Sequence, residues 1–398
     1  MPTAFEWLGQ LGPAGPVFQA TIGSLIGITA LLGFILVRRA FRKLHLRRRD
    51  ARTYAISQQW DAILSGAVSP GSWRFNPMDR EIVEAILLQS IEAASPAQLP
   101  ALLHLLRSSG LLNTRIYEAR IQRGWKRRRA LVSLGRMRAP EAIPAIAEAL
   151  DDPDLEMRTA AVRGLGQTRL PEGAAPLLEG LIAGELNVPH RPVQAALLDC
   201  CRSHPAILVP YLRRARGLAR EQIARVLGEL ATPEMQDDLL LLAGDPLPEV
   251  RASAARALAG ARPGLALPTL AAMATDPEWF VRLRAVAGLS ALEGSLAIRA
   301  LVAALCDPNR QVRLRAAAAL ARQEASLEEI LVQVVETHDR YALQAMVSEL
   351  ERSGSFPRLM EALMDPEQRH TATPILLKAL CAGSRQLEEA LADGPKSD

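Results

Sequence analysis

The sequence predicts an all-α protein: an α-solenoid of about eight helix–turn–helix repeats, preceded by one transmembrane helix. Three observations predict this. Hydrophobic residues make up 49% of the chain but aromatics only 4%. Ala and Leu supply much of that fraction, which favours helices over sheets. No charged side chain lies between Glu6 and Arg38. A pattern that opens on Asp-Pro then recurs at a spacing of 31 residues. The same composition excludes two classes. Four cysteines in 398 residues do not make a disulfide-stapled secreted domain. The apolar content is too high for a largely disordered chain.

The N-terminal element comes first. Val17 to Val37 is a 21-residue apolar stretch. As a helix it is about 31 Å long, the thickness of the hydrocarbon core. Its polar residues, Gln19, Thr21, Ser24 and Thr29, are mild, and the hydroxyls can bond back to the helix backbone. A cleaved signal peptide is the rival reading, but it needs a basic segment before the apolar run. Here the basic residues follow it: Arg38, Arg39, Arg42, Lys43, Arg47, Arg48, Arg49 and Arg52. The positive-inside rule then expects a retained single-pass anchor in the inner membrane, with residues 1–16 outside and everything after Arg38 cytoplasmic. The basic run at 38–52 sets this orientation and also suits anionic lipid. Gly23 and Gly27 form a G-x-x-x-G pair, which either drives self-association or simply reflects how common Gly is in membrane helices.

Charge is distributed in blocks. Residues 38–52 carry +7 and residues 115–138 carry +8, whereas residues 139–398 carry −8. The pI of 9.1 therefore comes from two short segments. Residues 53–119 read as a helical cap, with helices at 54–64, 79–94 and 100–108. Turns are expected around Ser69-Pro70-Gly71-Ser72 and Phe75-Asn76-Pro77.

Residues 120–385 carry the repeats, and residues 386–398 form a tail. Four segments align without gaps, beginning at Asp152, Asp245, Asp276 and Asp307 and ending at Leu165, Leu258, Leu289 and Leu320. Each reads Asp-Pro-x3-[Val/Met]-Arg-x2-Ala-x3-Leu. Weaker units fill the 93-residue gap between the first two, and others run through Asp339–Leu350 and after Asp365-Pro366. Asn187-Val188-Pro189-His190 is an insertion that shifts the phase. Asp is a good N-cap and Pro suits the first helical position, so Asp-Pro is expected to start a helix. Val250, Ala254 and Leu258 then share one face. A second amphipathic helix precedes each Asp-Pro, as in Ile143, Ile146, Leu150; Leu267, Leu270, Met273; and Ile298, Leu301, Leu305. Pro144 and Pro268 fall in the expected opening turns. Neither helix of a unit can bury its face alone, so neighbouring units must stack.

The Asp-Pro turn, the following Val-Arg, and the Ala and Leu of the second helix resemble the HEAT-repeat family, in particular its short bacterial form first noted in phycobilisome lyases. The resemblance implies that Asp152, Arg158, Asp245, Arg251, Asp276, Arg282, Asp307 and Arg313 form a structural ladder between successive turns. Ligand contact is the other reading of those arginines. It also implies that the exposed row of the second helices, including Arg163, Arg256, Arg284 and Arg315, lines a concave face that can hold a partner. An ordinary solvated face is the rival. Arg123, Lys126, Arg127, Arg128 and Arg129 are a further patch for an acidic partner or lipid. Trp279 and Phe280 follow a turn and serve either as a partner anchor or as core.

No catalytic constellation is legible. The six histidines form no metal-binding pair, and the His-Glu dyads of deoxyhypusine hydroxylase, a HEAT-repeat enzyme, are missing. Adjacent Cys200 and Cys201 cannot chelate in the C-x2-C manner and read as buried thiols. No cofactor and no metal are expected. The leading functional reading is a membrane-anchored, non-catalytic scaffold for a protein partner. A bilin-lyase-like enzyme or pigment chaperone is an alternative drawn from the resemblance. Binding of anionic lipid or nucleic acid through the basic blocks is another. Nucleic acid is disfavoured because only Trp125 interleaves with the basic residues.

Overall fold

The computed structural model describes residues 15–65, 67, 77–322 and 327–357. The turns expected at 69–76, the Asp365-Pro366 unit and the tail lie outside the described residues. The described chain holds twenty α-helices and no strand. It divides into two units, Met1–Tyr117 and Glu118–Asp398.

In the first unit the apolar span and the basic segment form one 44-residue helix, Gly15–Gln58. It is long and apolar enough to cross a membrane, and its apolar window is wholly unburied. Leu25, Ile26, Leu31, Phe34 and Leu36 are all exposed. Thr21 and Thr29 donate their hydroxyls to the carbonyls of Val17 (2.9 Å) and Leu25 (2.7 Å). A Cβ at Gly23 or Gly27 would meet nothing within 4 Å, so that face is open. The helix expected at 54–64 is divided. Gln59 leaves helical geometry (φ −99°, ψ 8°) and its N–H closes a tighter bond to the Ile56 carbonyl, so Trp60–Leu64 is separate.

The base of the long helix packs on the helix Pro77–Ala93. Proline at its first position suits a helix start, because that N–H needs no partner. Ile82, Val83, Leu87, Leu88 and Ile91 are buried on this helix, and so are Asp79 and Glu84. Buried carboxylates need partners. Arg52 grips Asp79 with two nitrogens, and Arg115 grips Glu84 at 2.7 and 2.5 Å. Arg52 therefore contributes an internal ion pair rather than free positive charge. Leu99–Ser108 and Leu111–Ile121 follow, and the division between the units falls within the second of these.

In the second unit the helix Gly124–Arg136 is followed by seven helix pairs. The second helices are Leu155–Thr168, His190–Cys201, Gly217–Leu230, Pro248–Leu258, Trp279–Leu289, Arg310–Leu320 and Arg340–Ser353. Several first helices are shorter, as in Ile143–Ala147 and Leu208–Arg214, while Pro263–Met273 and Ser295–Leu305 match the 11 residues of the second helices that follow them. The core is the repeated apolar face. Val250, Ala254 and Leu258, Val281, Ala285 and Leu289, and Val312, Ala316 and Leu320 are all buried. Each large side chain so buried contributes roughly 1.5–3 kcal/mol.

Two local expectations are corrected. The Asp-Pro pair does not start the helix. The N-caps are Asp154, Leu247, Glu278 and Asn309, two residues after each Asp, and the helices open one residue later. The Asp side chain instead closes an Asx-turn, accepting the N–H two residues on: Leu247 to Asp245 (3.0 Å), Glu278 to Asp276 (2.9 Å), Asn309 to Asp307 (2.7 Å). Pro268 does not lie in an opening turn either. Pro263 takes the first helical position of Pro263–Met273, which leaves Pro268 inside the helix.

Second helices approach very closely. A Cβ on Gly135 would lie 2.5 Å from the Gly164 carbonyl oxygen, and one on Gly228 would lie 2.7 Å from that of Ser253. Gly135→Ala is therefore expected to cost roughly 1–3 kcal/mol through overpacking. Gly264→Ala, where the added Cβ meets nothing within 4 Å, should be neutral or slightly stabilising. Thermal melts of the detergent-solubilised chain followed by circular dichroism check both. Cys200 and Cys201 are fully buried, and burial pushes both thiols up to about 12. Cys200 donates to the Leu165 carbonyl at 3.2 Å. In a Cys381→Ser background, alkylation of the native protein at pH 8 should modify exposed Cys306 and reach Cys200 and Cys201 only after denaturation.

Candidate partner-binding surface

The second helices carry the surface, and an arginine–aspartate system fixes their spacing. Arg251 donates Nε and Nη2 to the two oxygens of Asp276 (2.7 and 3.0 Å). Its Nη1 donates to the carbonyls of Asp245 and Pro246 in its own turn. Arg282 does the same one unit on, with Nε and Nη2 to Asp307 (2.6 and 3.0 Å) and Nη1 to the carbonyls of Asp276 and Pro277. Arg220 grips Asp245, and Arg127 grips Asp152. These pairs are largely buried, so each bond is worth more than a surface ion pair. Burial pushes the Asp276 carboxyl up, but the bonds from Arg251 and from the Glu278 N–H, with the charge of Arg282, hold it below the ordinary carboxylate range.

The series is interrupted at three of its seven steps: from His190–Cys201 to Gly217–Leu230, Gln194 replaces the arginine and reaches Glu229, and at the other two an arginine lacks its aspartate. Arg158 keeps its bonds to the Asp152 and Pro153 carbonyls, but its remaining nitrogens reach only the backbone carbonyl of Asn187, at 3.2 and 3.1 Å. Asn187 belongs to the phase-shifting insertion. Arg313 likewise holds the Asp307 and Pro308 carbonyls at 2.8 and 3.0 Å, yet its Nε and Nη2 have no acceptor among the described residues. In the following unit Thr337 stands where four other units have Asp152, Asp245, Asp276 and Asp307. Its hydroxyl supports the turn, accepting the Asp339 N–H at 3.3 Å, but it offers no carboxylate.

Two cavities lie along these repeats. One, of about 340 Å³, is lined by Leu181, Leu186, Val188, His190, Leu218 and Gln222 among others. His190 Nδ1 and Gln222 Nε2 are 2.9 Å apart across it. The other, of about 190 Å³, includes Arg310, Arg313, Leu314, Tyr341, Gln344 and Ser348.

Arg163, Arg256, Arg284 and Arg315 are all exposed on second helices. Arg256 is bound to Glu229 at 3.2 Å, while the other three make no side-chain bond among the described residues. Of the basic block, Arg127 is spent on Asp152 and Arg128 pairs with Glu156 at 2.7 Å. Arg123 and Lys126 are exposed beside Trp125, which is 62% exposed; Arg129 is also exposed. Trp279 is exposed and Phe280 half-buried, their rings meeting edge to face at 6.0 Å. Among the described residues no group of three or more His, Cys, Asp or Glu side chains is placed to hold a metal ion. The open edge of Arg313 went unnoticed in the sequence. Aligning Leu350 with Leu320 and counting back to Thr337 would have found it.

The profile of HEAT repeats matches residues 120–197, 205–290 and 237–321. These stretches of the solenoid are HEAT repeats. No characterised protein matches the chain at the sequence level. Solved structures similar to this HEAT-repeat chain include YibA of Escherichia coli, at 16% identity over 76% of this chain and 97% of that one, TM-score 0.33. Human deoxyhypusine hydroxylase in complex with glycerol is similar at 18% identity over 68% and 98%, TM-score 0.27. The CpcE–CpcF complex of phycocyanin lyase from Nostoc is similar at 16% identity over 71% and 95%, TM-score 0.22. These likenesses are too distant to carry an argument about function.

The double use of Asp276 separates by mutation. Asp276→Ala removes both the turn acceptor and the ion pair and should cost about 3 kcal/mol. Asp276→Asn keeps the turn acceptor and should cost distinctly less. The folded carboxyl titrates below its unfolded value of about 3.9, so its contribution is complete above that pH and fades as pH falls through the lower folded value. The melting temperature should hold from pH 7 to about 5 and then fall, with a shallower acid limb in Asp276→Asn.

Proposed function

We propose that this chain is a non-catalytic, membrane-anchored adaptor that holds a protein partner on the cytoplasmic face of the inner membrane. The observation that carries the reading is the pairing of two features in one chain. One is a 44-residue helix whose apolar half has no protein cover. The other is an array of HEAT repeats, an architecture that offers an extended surface rather than an enclosed reaction site. The basic residues from Arg38 to Arg52 follow the apolar half, which supports a cytoplasmic solenoid. Arg163, Arg284 and Arg315, with exposed Leu155, Trp279 and Leu314 on the same three helices, supply the mix of charge and large apolar side chains that partner surfaces use. Lipid contacts fall to the anchor and its basic flank, and self-association to the open Gly23–Gly27 face.

The test is affinity purification from gently solubilised membranes, comparing the full chain with a form lacking residues 1–37. A stoichiometric partner retained by both forms is the expected result. It should weaken when Arg163, Arg284 and Arg315 are changed to Glu. No partner for either form overturns the adaptor reading. The full chain should resist carbonate extraction, and its solenoid should survive protease added outside spheroplasts. Digestion from outside would reverse the orientation.

A further inference from the structure

Arg313 is built like Arg251 and Arg282, but its outer edge holds no carboxylate among the described residues. In all three, Nη1 is fixed by two carbonyls of the arginine's own turn, at 2.8–3.2 Å. In Arg251 and Arg282 the Nε–Nη2 edge grips both oxygens of the next unit's Asp at 2.6–3.0 Å. In Arg313 that edge has no acceptor among the described residues. Arg313 lines the cavity of about 190 Å³ together with Tyr341. The carboxylate is missing because the corresponding position is Thr337. The hydroxyl there turns to its own backbone, donating to the Val334 carbonyl at 2.7 Å.

The surroundings reinforce positive charge. The Arg313 guanidinium lies over the Tyr341 ring at 5.4 Å, and that of Arg340 lies over the same ring at 4.7 Å. Tyr341 thus holds the guanidinium in place, and the Arg313 edge needs little ordering before it can bind. Arg310 is exposed at the rim with no side-chain partner among the described residues, and Gln344 and Ser348 add polar groups. A planar guanidinium edge of this kind recognises a carboxylate through two parallel bonds.

We propose that this cavity binds an aspartate side chain on an acidic segment of the protein partner, which completes the ladder from outside the chain. The proposal rests on the adaptor reading and names the site and the chemistry of its client. The occupant is argued from charge complementarity: the same edge of Arg220, Arg251 and Arg282 holds an aspartate of this chain, and that of Arg158 a backbone carbonyl.

The probe is a labelled peptide copying residues 275–280 (Thr-Asp-Pro-Glu-Trp-Phe), the turn that Arg251 holds. Its counterpart has Asn for the Asp. Anisotropy is read on the full chain in detergent. The Asp peptide should bind at least about tenfold more tightly than the Asn peptide. Arg313→Gln and Arg313→Lys should both lose that preference, the second while keeping the charge. Arg163→Gln should leave it intact. Thr337→Asp is the decisive variant, because it supplies the missing carboxylate in cis. It should abolish peptide binding and raise the melting temperature, whereas a misfolded variant would lower it. Equal binding of the two peptides, or undiminished binding to Thr337→Asp, overturns the proposal. So does a peptide copying residues 386–398 that binds more tightly, since the occupant would then be the chain's own tail. Vesicles containing phosphatidylserine that bind through Arg313 with no peptide preference overturn it as well. If the peptide fails while affinity purification still returns a partner, only the site is wrong. If no partner is returned, the adaptor reading itself falls.

Discussion

In the units that open at Asp152, Asp245, Asp276 and Asp307 one carboxylate does two things at once, and the second unit depends on it. In Asp276, Oδ1 accepts the Glu278 N–H and so shapes the turn that aims the next helix. The same group takes two nitrogens from Arg251 of the preceding unit. Local geometry and the step between units are therefore set by one side chain. A turn that is wrongly shaped misplaces the carboxylate, and an arginine that is misplaced loses its acceptor. The coupling suits an architecture in which each unit touches only its neighbours, because no distant contact can correct an error in the step.

The close approach of the second helices follows from that step. With arginine and aspartate fixing the distance, the facing positions must be small. Gly135 against Gly164, Gly166 against Ala196 and Gly228 against Ser253 are the tightest cases, and the alanines at 254, 255, 316 and 317 are buried as well. Low aromatic content is thus a consequence of the packing. Of the aromatics in the array, Trp125, Trp279 and Tyr341 are exposed near the starts of their helices, Tyr211 and Phe280 are half-buried and Phe356 is buried.

Periodicity made the helices, their pairing and the buried face of each second helix legible, because Val, Ala and Leu recur at fixed offsets. Helix starts were less legible. Asp-Pro has the chemistry of a cap and a first position, but here the carboxylate closes a turn two residues earlier. Pro268 misled in the same way, since Pro263 is an equally good start. Two of the interruptions were the hardest to read. Asn187 solves its unit with a backbone carbonyl, which leaves no side-chain signature, and Thr337 preserves the turn while dropping the charge. A unit lacking Asp reads as merely weak, when in both cases it is also the place where the preceding arginine is left without its carboxylate.

The unbroken helix from Gly15 to Gln58 has a mechanical consequence. About 22 Å of it separates Val37 from Arg52, where the first unit begins to pack. On the proposed membrane placement this length is a mast rather than a tether. A tilt of the membrane-spanning part by about 20° would swing its upper end sideways by about 8 Å. Because Arg52 is locked to buried Asp79, the packed helices must follow. Bilayer thickness, or the approach of a second anchor along Gly23 and Gly27, would thereby set the lateral position of whatever the mast carries.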